Sequence, residues 1–205
     1  MRGNGQSARR RLVFATRNED KLAELTAMLE GTGWAVERLP PELGEYEETG
    51  ETFADNARGK ALFAAARLRF PVLADDSGLE IEALGGEPGV RSARYIDEAL
   101  TPSERNRAVL GKLAGTPAKL RTARFVCHLV LALGGNIVRE TTGTCSGSIG
   151  FAPRGELGFG YDPIFVVPDL GLTFAEISRE QKSERSHRGA AMRVIVEFLR
   201  RWTPD

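Results

Sequence analysis

The chain has 205 residues, 41% of them hydrophobic and 27% charged, which suits one globular domain with a sizeable core. Twenty-eight basic residues balance 28 acidic ones; a surface that coats nucleic acid carries a basic excess, so the balance points to a small ligand. No apolar run reaches the roughly 20 residues of a membrane span, and two cysteines and two histidines exclude a disulfide framework and a multi-histidine zinc or iron centre.

Any metal is therefore expected to be a hard ion held by oxygen, which favours Mg²⁺. Residues 1–10 are polar and basic, with none of the apolar stretch of a secretory signal. They read as a flexible N-terminal tail before a single domain over 11–205. Cys127 and Cys145 read as buried reduced thiols, and the cytoplasm is the expected compartment.

In chain order, Leu12-Val13-Phe14-Ala15 reads as a buried strand. Thr16-Arg17-Asn18 turns into a helix from about Asp20, with Leu22, Leu25 and Leu29 on its apolar face and Gly31 ending it. A second strand runs from Trp34 to Leu39. An acidic loop, 42–50, precedes Thr52, which caps an Ala-rich helix with Asp55 three residues on. Val72-Leu73-Ala74 is a buried strand, and Asp75-Asp76-Ser77-Gly78 is expected to be a sharp loop after it. Thr101-Pro102 opens a helix to about Leu113. The alternation over 122–133, the turn at Gly134-Gly135-Asn136 and the return over 137–148 predict a long hairpin. A strand at 164–167, a short helix capped by Thr173 and Glu176, and a long helix capped by Ser186 complete the chain. Strand-helix alternation followed by a hairpin predicts an α/β fold with a mixed sheet, and the hairpin's length predicts two lobes around a central cleft.

Five segments carry candidate chemistry. Thr16, Arg17, Asn18, Glu19, Asp20 and Lys21 form a strand-helix turn whose amides and ammonium suit phosphate. Asp75 and Asp76, straight after a buried strand, need a compensating positive charge such as a divalent ion, and adjacent side chains diverge, so one of them is expected to reach it. Glu45, Glu47 and Glu48 could complete an oxygen-ligand site with Asp76. Phe159, Gly160, Tyr161 and Asp162 could stack a base and accept from its ring N–H groups. Lys182, with His187 and Arg188 at a helix start, suits an anion or a carbonyl. Each segment taken alone also has an ordinary structural explanation, as a plain turn, a solvated charge run or a core aromatic. Together they make the inventory of a metal-dependent nucleoside triphosphate hydrolase.

At these residues the chain resembles the noncanonical purine NTP pyrophosphatases, the inosine triphosphate pyrophosphatase (dITP/XTP pyrophosphatase) family. The resemblance runs from Leu12 to Leu199 through ordered blocks: Ala15 to Asn18 with Lys21, Glu48-Thr49-Gly50 to Asn56-Ala57, Ala74 to Leu79, Pro88-Gly89 with Ser92 to Tyr95, Gly158 to Phe165, and Lys182 with Ser186 to Gly189. It implies an elongated mixed sheet with flanking helices, a homodimer, and conversion of dITP, ITP or XTP to monophosphate and pyrophosphate, which cleanses the nucleotide pool. It implies Glu48 and Asp76 as Mg²⁺ ligands, and Asp76 as the catalytic proton acceptor. It further implies substrate contacts from residues 16–21, Ser77, 159–162, Lys182, His187 and Arg188, with Asp75 a candidate second acid. The family usually has Gly where this chain has Arg17 and Asp20. The alternatives are a related-fold pyrophosphatase for other modified bases and a nucleotide sensor that does not hydrolyse; a purely structural domain leaves the polar clusters unexplained.

Overall fold

In the computed structural model, which describes residues 10–204, seven strands form one sheet in the order β2-β1-β3-β4-β5-β6-β7. Strands β1 (Arg10–Phe14), β2 (Trp34–Arg38) and β3 (Val72–Ile81) run parallel. Strands β4 (Thr122–Leu133), β5 (Asn136–Ile149), β6 (Phe165–Val167) and β7 (Leu172–Thr173) continue antiparallel from β3. The mixed α/β sheet agrees with the sequence reading. Arg10 is the first residue of β1 and pairs with Trp34, so the strand begins inside the stretch read as tail; residues 1–9 lie outside the described residues.

Helix α1 (Glu19–Met28) starts where Asn18 accepts a hydrogen bond from the Lys21 amide, with Glu19 and Asp20 in the first turn opposite the positive helix end. Thr52 caps α2 (Phe53–Ala65) in the same way, and a capping box at Thr101 and Glu104 starts α3 (Pro102–Lys112). Helix α4 (Arg179–Arg185), which sequence reading did not separate, has its own capping box at Ser178 and Gln181. Ser186 ends α4 and caps α5 (His187–Arg201), so no loop intervenes and the corner is tight.

One correction concerns β3. Asp75 to Gly78 is no loop: the strand runs unbroken through it, paired residue for residue with β4. Strand pairing satisfies the backbone there, and the strand's twofold alternation sends Asp75 and Asp76 to opposite faces of the sheet.

The core divides where those residues sit. Leu12, Phe14, Leu73, Leu129 and Leu131 pack under α1 and α5, and on the other face the alanines of α2 lie against Val72, Ala74 and Val130. Beyond Gly78, Leu79, Ile81 and Phe125 join a separate cluster with Val109 of α3 and the 161–177 segment. The long strands thus thread two lobes, and a cleft opens between them.

Candidate active site

The cleft has a volume of about 250 Å³. Asn18, Asp20 and Lys21 line it, together with Phe159 to Asp162 and Lys182. Glu48, Asp76, Ser77, His187 and Arg188 also face it. Thr16, Arg17 and Glu19 do not. The Thr16 hydroxyl accepts from the Asn18 amide at 3.2 Å, Arg17 pairs with Glu45 at 2.9 Å, and Glu19 pairs with Arg38.

Two carboxylates of the cleft converge on one cation. Lys60 Nζ, from α2, lies 2.6 Å from Glu48 and 3.7 Å from Asp76. Burial opposes charge on Lys60, yet Asp75, Asp76 and Glu48 raise its pKa and keep it protonated. Asp76 Oδ2 accepts from Asn56 Nδ2 at 3.0 Å, and Asn56 Oδ1 accepts from the Gly50 amide at 2.8 Å. One buried amide therefore joins the strand carboxylate to the loop that carries Glu48. Arg94 completes the hold on that loop, with Nη2 donating to the Glu48 carbonyl at 3.0 Å and Nη1 lying 3.5 Å from its carboxylate. The Asp76 carboxyl is raised above its ordinary value, chiefly by burial and secondarily by Glu48, while Lys60 opposes the rise.

These two carboxylates fit a hard divalent ion, because they already converge on a buried ammonium. Among the described residues no group of three or more His, Cys, Asp or Glu forms a closed cage. Two carboxylates with open positions suit Mg²⁺, which keeps waters and takes phosphate oxygens.

Asp75, on the other face, is buried and engaged. Lys21 Nζ is 2.8 Å from it and Arg188 Nη2 3.4 Å, and the Ser77 hydroxyl donates to it at 3.0 Å. Burial works against its charge, but Lys21, Arg188 and Lys60 hold its carboxyl well below the usual range. Asp75 is thus an anchor for cations, while Asp76 faces the convergent site.

Beneath the cleft the charges form an alternating chain. Arg188 Nη1 donates to Glu24 at 2.6 Å, Lys182 lies 2.8 Å from Glu24, and Lys182 donates to Asp162 at 2.5 Å. Asp162 also accepts from the Phe159 amide at 2.8 Å, which fixes the aromatic loop. The Phe159 ring has the Lys182 ammonium 4.5 Å from its centroid. Phe159 is half-buried at the cleft, whereas Tyr161 is buried in the core with its hydroxyl donating to the Ser92 carbonyl at 2.9 Å. Of the two aromatics, Phe159 is the one presented for stacking.

His187 lies against Phe125, with centroids 4.7 Å apart and planes at 10°. Burial first, then Arg188 and Lys182, push its pKa well down, so the imidazole is neutral. Its Nδ1 and Arg188 Nε are buried without a protein partner. The α5 start is pressed against β5: a Cβ at Gly143 would come within 2.5 Å of Ala191 N. Ser92 performs a similar fit, with its hydroxyl accepting from the Leu79 amide at 2.9 Å and donating to the Gly89 carbonyl at 2.7 Å. At Gly78 a Cβ would lie 2.5 Å from that carbonyl, so only glycine admits this seam.

Sequence reading gave no role to Asn56, which it met only within a resemblance block, and passed over Glu24, Tyr46, Lys60, Arg105 and Asn106. Asn56 and Lys60 carried a signal: polar residues four apart on an Ala-rich helix share one face. Glu24, between the apolar Leu22 and Leu25, carried a weaker one.

Fold and site together define an α/β cleft protein whose cleft holds a two-carboxylate centre and an aromatic platform. The chain belongs to the Ham1 family, whose model matches residues 12–198. A Gloeobacter violaceus relative named dITP/XTP pyrophosphatase is 49% identical over 192 residues, 94% of this chain and 95% of the relative. A Thermus thermophilus protein of the same name is 46% identical over 195 residues, 95% and 94% of the two chains. Among solved structures, a HAM1 protein from Coxiella burnetii superposes with a TM-score of 0.84 at 39% identity, covering 93% of this chain and 98% of that one.

Proposed function

We propose that this protein hydrolyses dITP, ITP and XTP to the nucleoside monophosphate and pyrophosphate, removing deaminated purine nucleotides from the precursor pool. The observation that carries the reading is the convergence of Glu48 and Asp76 on a single cation position, in the cleft that Asn18 and Lys21 also line. Family membership and the names of the relatives support the substrate class.

In this reading water attacks the α-phosphorus and pyrophosphate leaves. Glu48 and Asp76 would hold Mg²⁺, which offsets phosphate charge and acidifies water when bound. Asp76 accepts the proton of the attacking water; burial has already moved its carboxyl upward, toward the working pH of a base. Asn56 fixes the orientation of that carboxylate. The α1 amides with Lys21 and Lys60 stabilise the phosphate chain. The base stacks on Phe159, and the donors of His187 and Arg188 favour a 6-oxo purine over the 6-amino group of ATP, which would set donor against donor. The enzyme works as a homodimer in the cytoplasm, and sedimentation velocity tests the assembly. Among the described residues no helix is long and apolar enough to cross a membrane.

The test is pyrophosphate release from ITP, XTP, dITP, GTP and ATP, with Mg²⁺ and with chelator, beside Asp76→Asn. Rapid Mg²⁺-dependent release from ITP and XTP, little from ATP, and a loss of about 10²- to 10⁴-fold in the variant are expected. Release of single phosphate, or no release, overturns the assignment.

A further inference from the structure

Four basic side chains line the cleft: Lys21, Arg105, Lys182 and Arg188. Three are neutralised in place. Lys21 is 2.8 Å from Asp75, Lys182 is 2.5 Å from Asp162, and Arg188 is 2.6 Å from Glu24. Arg105 differs. Among the described residues no carboxylate lies within 4.0 Å of it, and its hydrogen bond runs from Nη1 to the Leu100 carbonyl at 2.5 Å. That bond fixes the guanidinium at one corner and leaves its remaining donors uncommitted.

Its place in the cleft is set by its neighbour. Asn106 Nδ2 donates to the Gly160 carbonyl at 3.0 Å, which ties the first turns of α3 to the aromatic loop. Arg105 therefore enters the cleft from α3, beside the aromatic loop, whereas Arg188 and His187 enter it from the start of α5. Those two are assigned above to the 6-oxo group.

We propose that Arg105 is a specificity-determining residue that reads position 2 of the purine, a reading that rests on the function proposed above. A guanidinium has only donors. It pairs with the 2-oxo group of xanthine, finds nothing on the unsubstituted C2 of hypoxanthine, and opposes the 2-amino group of guanine. GTP carries the 6-oxo group, so the 6-position cannot reject it; an all-donor contact at position 2 can. The same residue then ranks XTP above ITP and ITP above GTP.

Arg105→Met and Arg105→Lys separate this role from others. Steady-state pyrophosphate release gives kcat/KM for XTP, ITP, dITP and GTP, and thermal melting checks that each variant folds. The expected result for Arg105→Met is a fall of about tenfold in the XTP-to-ITP ratio, the loss of one charged hydrogen bond. The GTP-to-ITP ratio rises several-fold, dITP tracks ITP, and Arg105→Lys falls between. An equal loss for all four nucleotides would assign Arg105 to the phosphates, and a change in the ITP-to-dITP ratio would assign it to the ribose; either overturns the proposal, as do unchanged ratios. Wild-type enzyme that releases no pyrophosphate from ITP or XTP would instead sink the underlying function.

Discussion

Gly59→Ala probes how the loop bearing Glu48 is held. In an ordinary helix interior this substitution stabilises by about 1 kcal/mol. Here the glycine leaves a notch for Tyr46, whose ring also packs on Phe63 with centroids 6.0 Å apart. A Cβ at position 59 would overlap Tyr46 Oη and Cζ and lie 2.7 Å from Cε1. Carbon atoms rest at about 3.5–4.0 Å, so the ring must withdraw by about 1.5 Å, part of which reaches Glu48. Glu48 lies two residues along the same loop. A displacement of about 1 Å at a working group costs up to about 10²-fold. Arg94 still grips the Glu48 carbonyl at 3.0 Å, which moderates the loss. The Mg²⁺ concentration for half-maximal pyrophosphate release should therefore rise about tenfold, between no effect and that limit. The melting temperature should move by only a few degrees, as helix propensity gained offsets packing lost. Tyr46→Ala should have the same effect, and the double variant should add little, because the two residues act through one contact. A raised melting temperature with an unchanged Mg²⁺ requirement would refute the reasoning.

Three further outcomes follow. Phe159→Ala should raise KM for ITP by about tenfold or more, the scale of one base–aromatic stack, with the Mg²⁺ requirement unmoved; a kcat loss alone would contradict the stacking role. Arg188→Met leaves Glu24 and Asp75 short of a cation and should cost about 3 kcal/mol, the low end for a broken buried pair because Lys182 and Lys21 remain. For a chain of this length that is a fall in melting temperature of about 7 °C, and a shift below about 2 °C would mean that the network contributes little. His187 is buried and neutral, with a folded pKa well below the ordinary 6.5. The unfolded chain gains a proton there as pH falls below 6.5, so stability should decline on acidification by up to about 1.4 kcal/mol per pH unit from this residue. Denaturant titration of wild type and His187→Asn at pH 7 and 5.5 measures it, and equal slopes would remove His187 as the cause.

The strand-helix alternation, the hairpin and most helix starts were legible because they follow from short-range chemistry: Thr52, Thr101 and Ser186 each cap the helix that their spacing announced, and Asn18, read only as part of a turn, caps the helix expected from about Asp20. The Asp75–Gly78 segment was misread for a physical reason. Two adjacent carboxylates look like a turn until Lys21, Lys60 and Arg188 arrive from three other elements to compensate them. The same limit hid Glu24, whose two cations come from α4 and α5, more than 150 residues away. Asp76 and Glu48 were visible as acidic residues, but the Lys60 ammonium between them is a property of the packed helix. The different tasks of Phe159 and Tyr161 likewise depend on the Ser92 carbonyl, which nothing local to the aromatic loop reveals.

The alternating chain Asp162–Lys182–Glu24–Arg188–Asp75–Lys21 has a consequence for anyone who would redesign this pocket. All its members but Lys21 are buried and each leans on the next, so a single replacement leaves an odd charge short of its partner at the floor of the cleft. Variation that alters base preference at this floor is therefore best tolerated in paired exchanges that keep the charges balanced. Libraries that vary one floor position at a time would lose stability at most of these positions. Positions on the α3 side of the cleft, where Arg105 stands outside the chain, are open to single substitutions, and new substrate preferences are most accessible there.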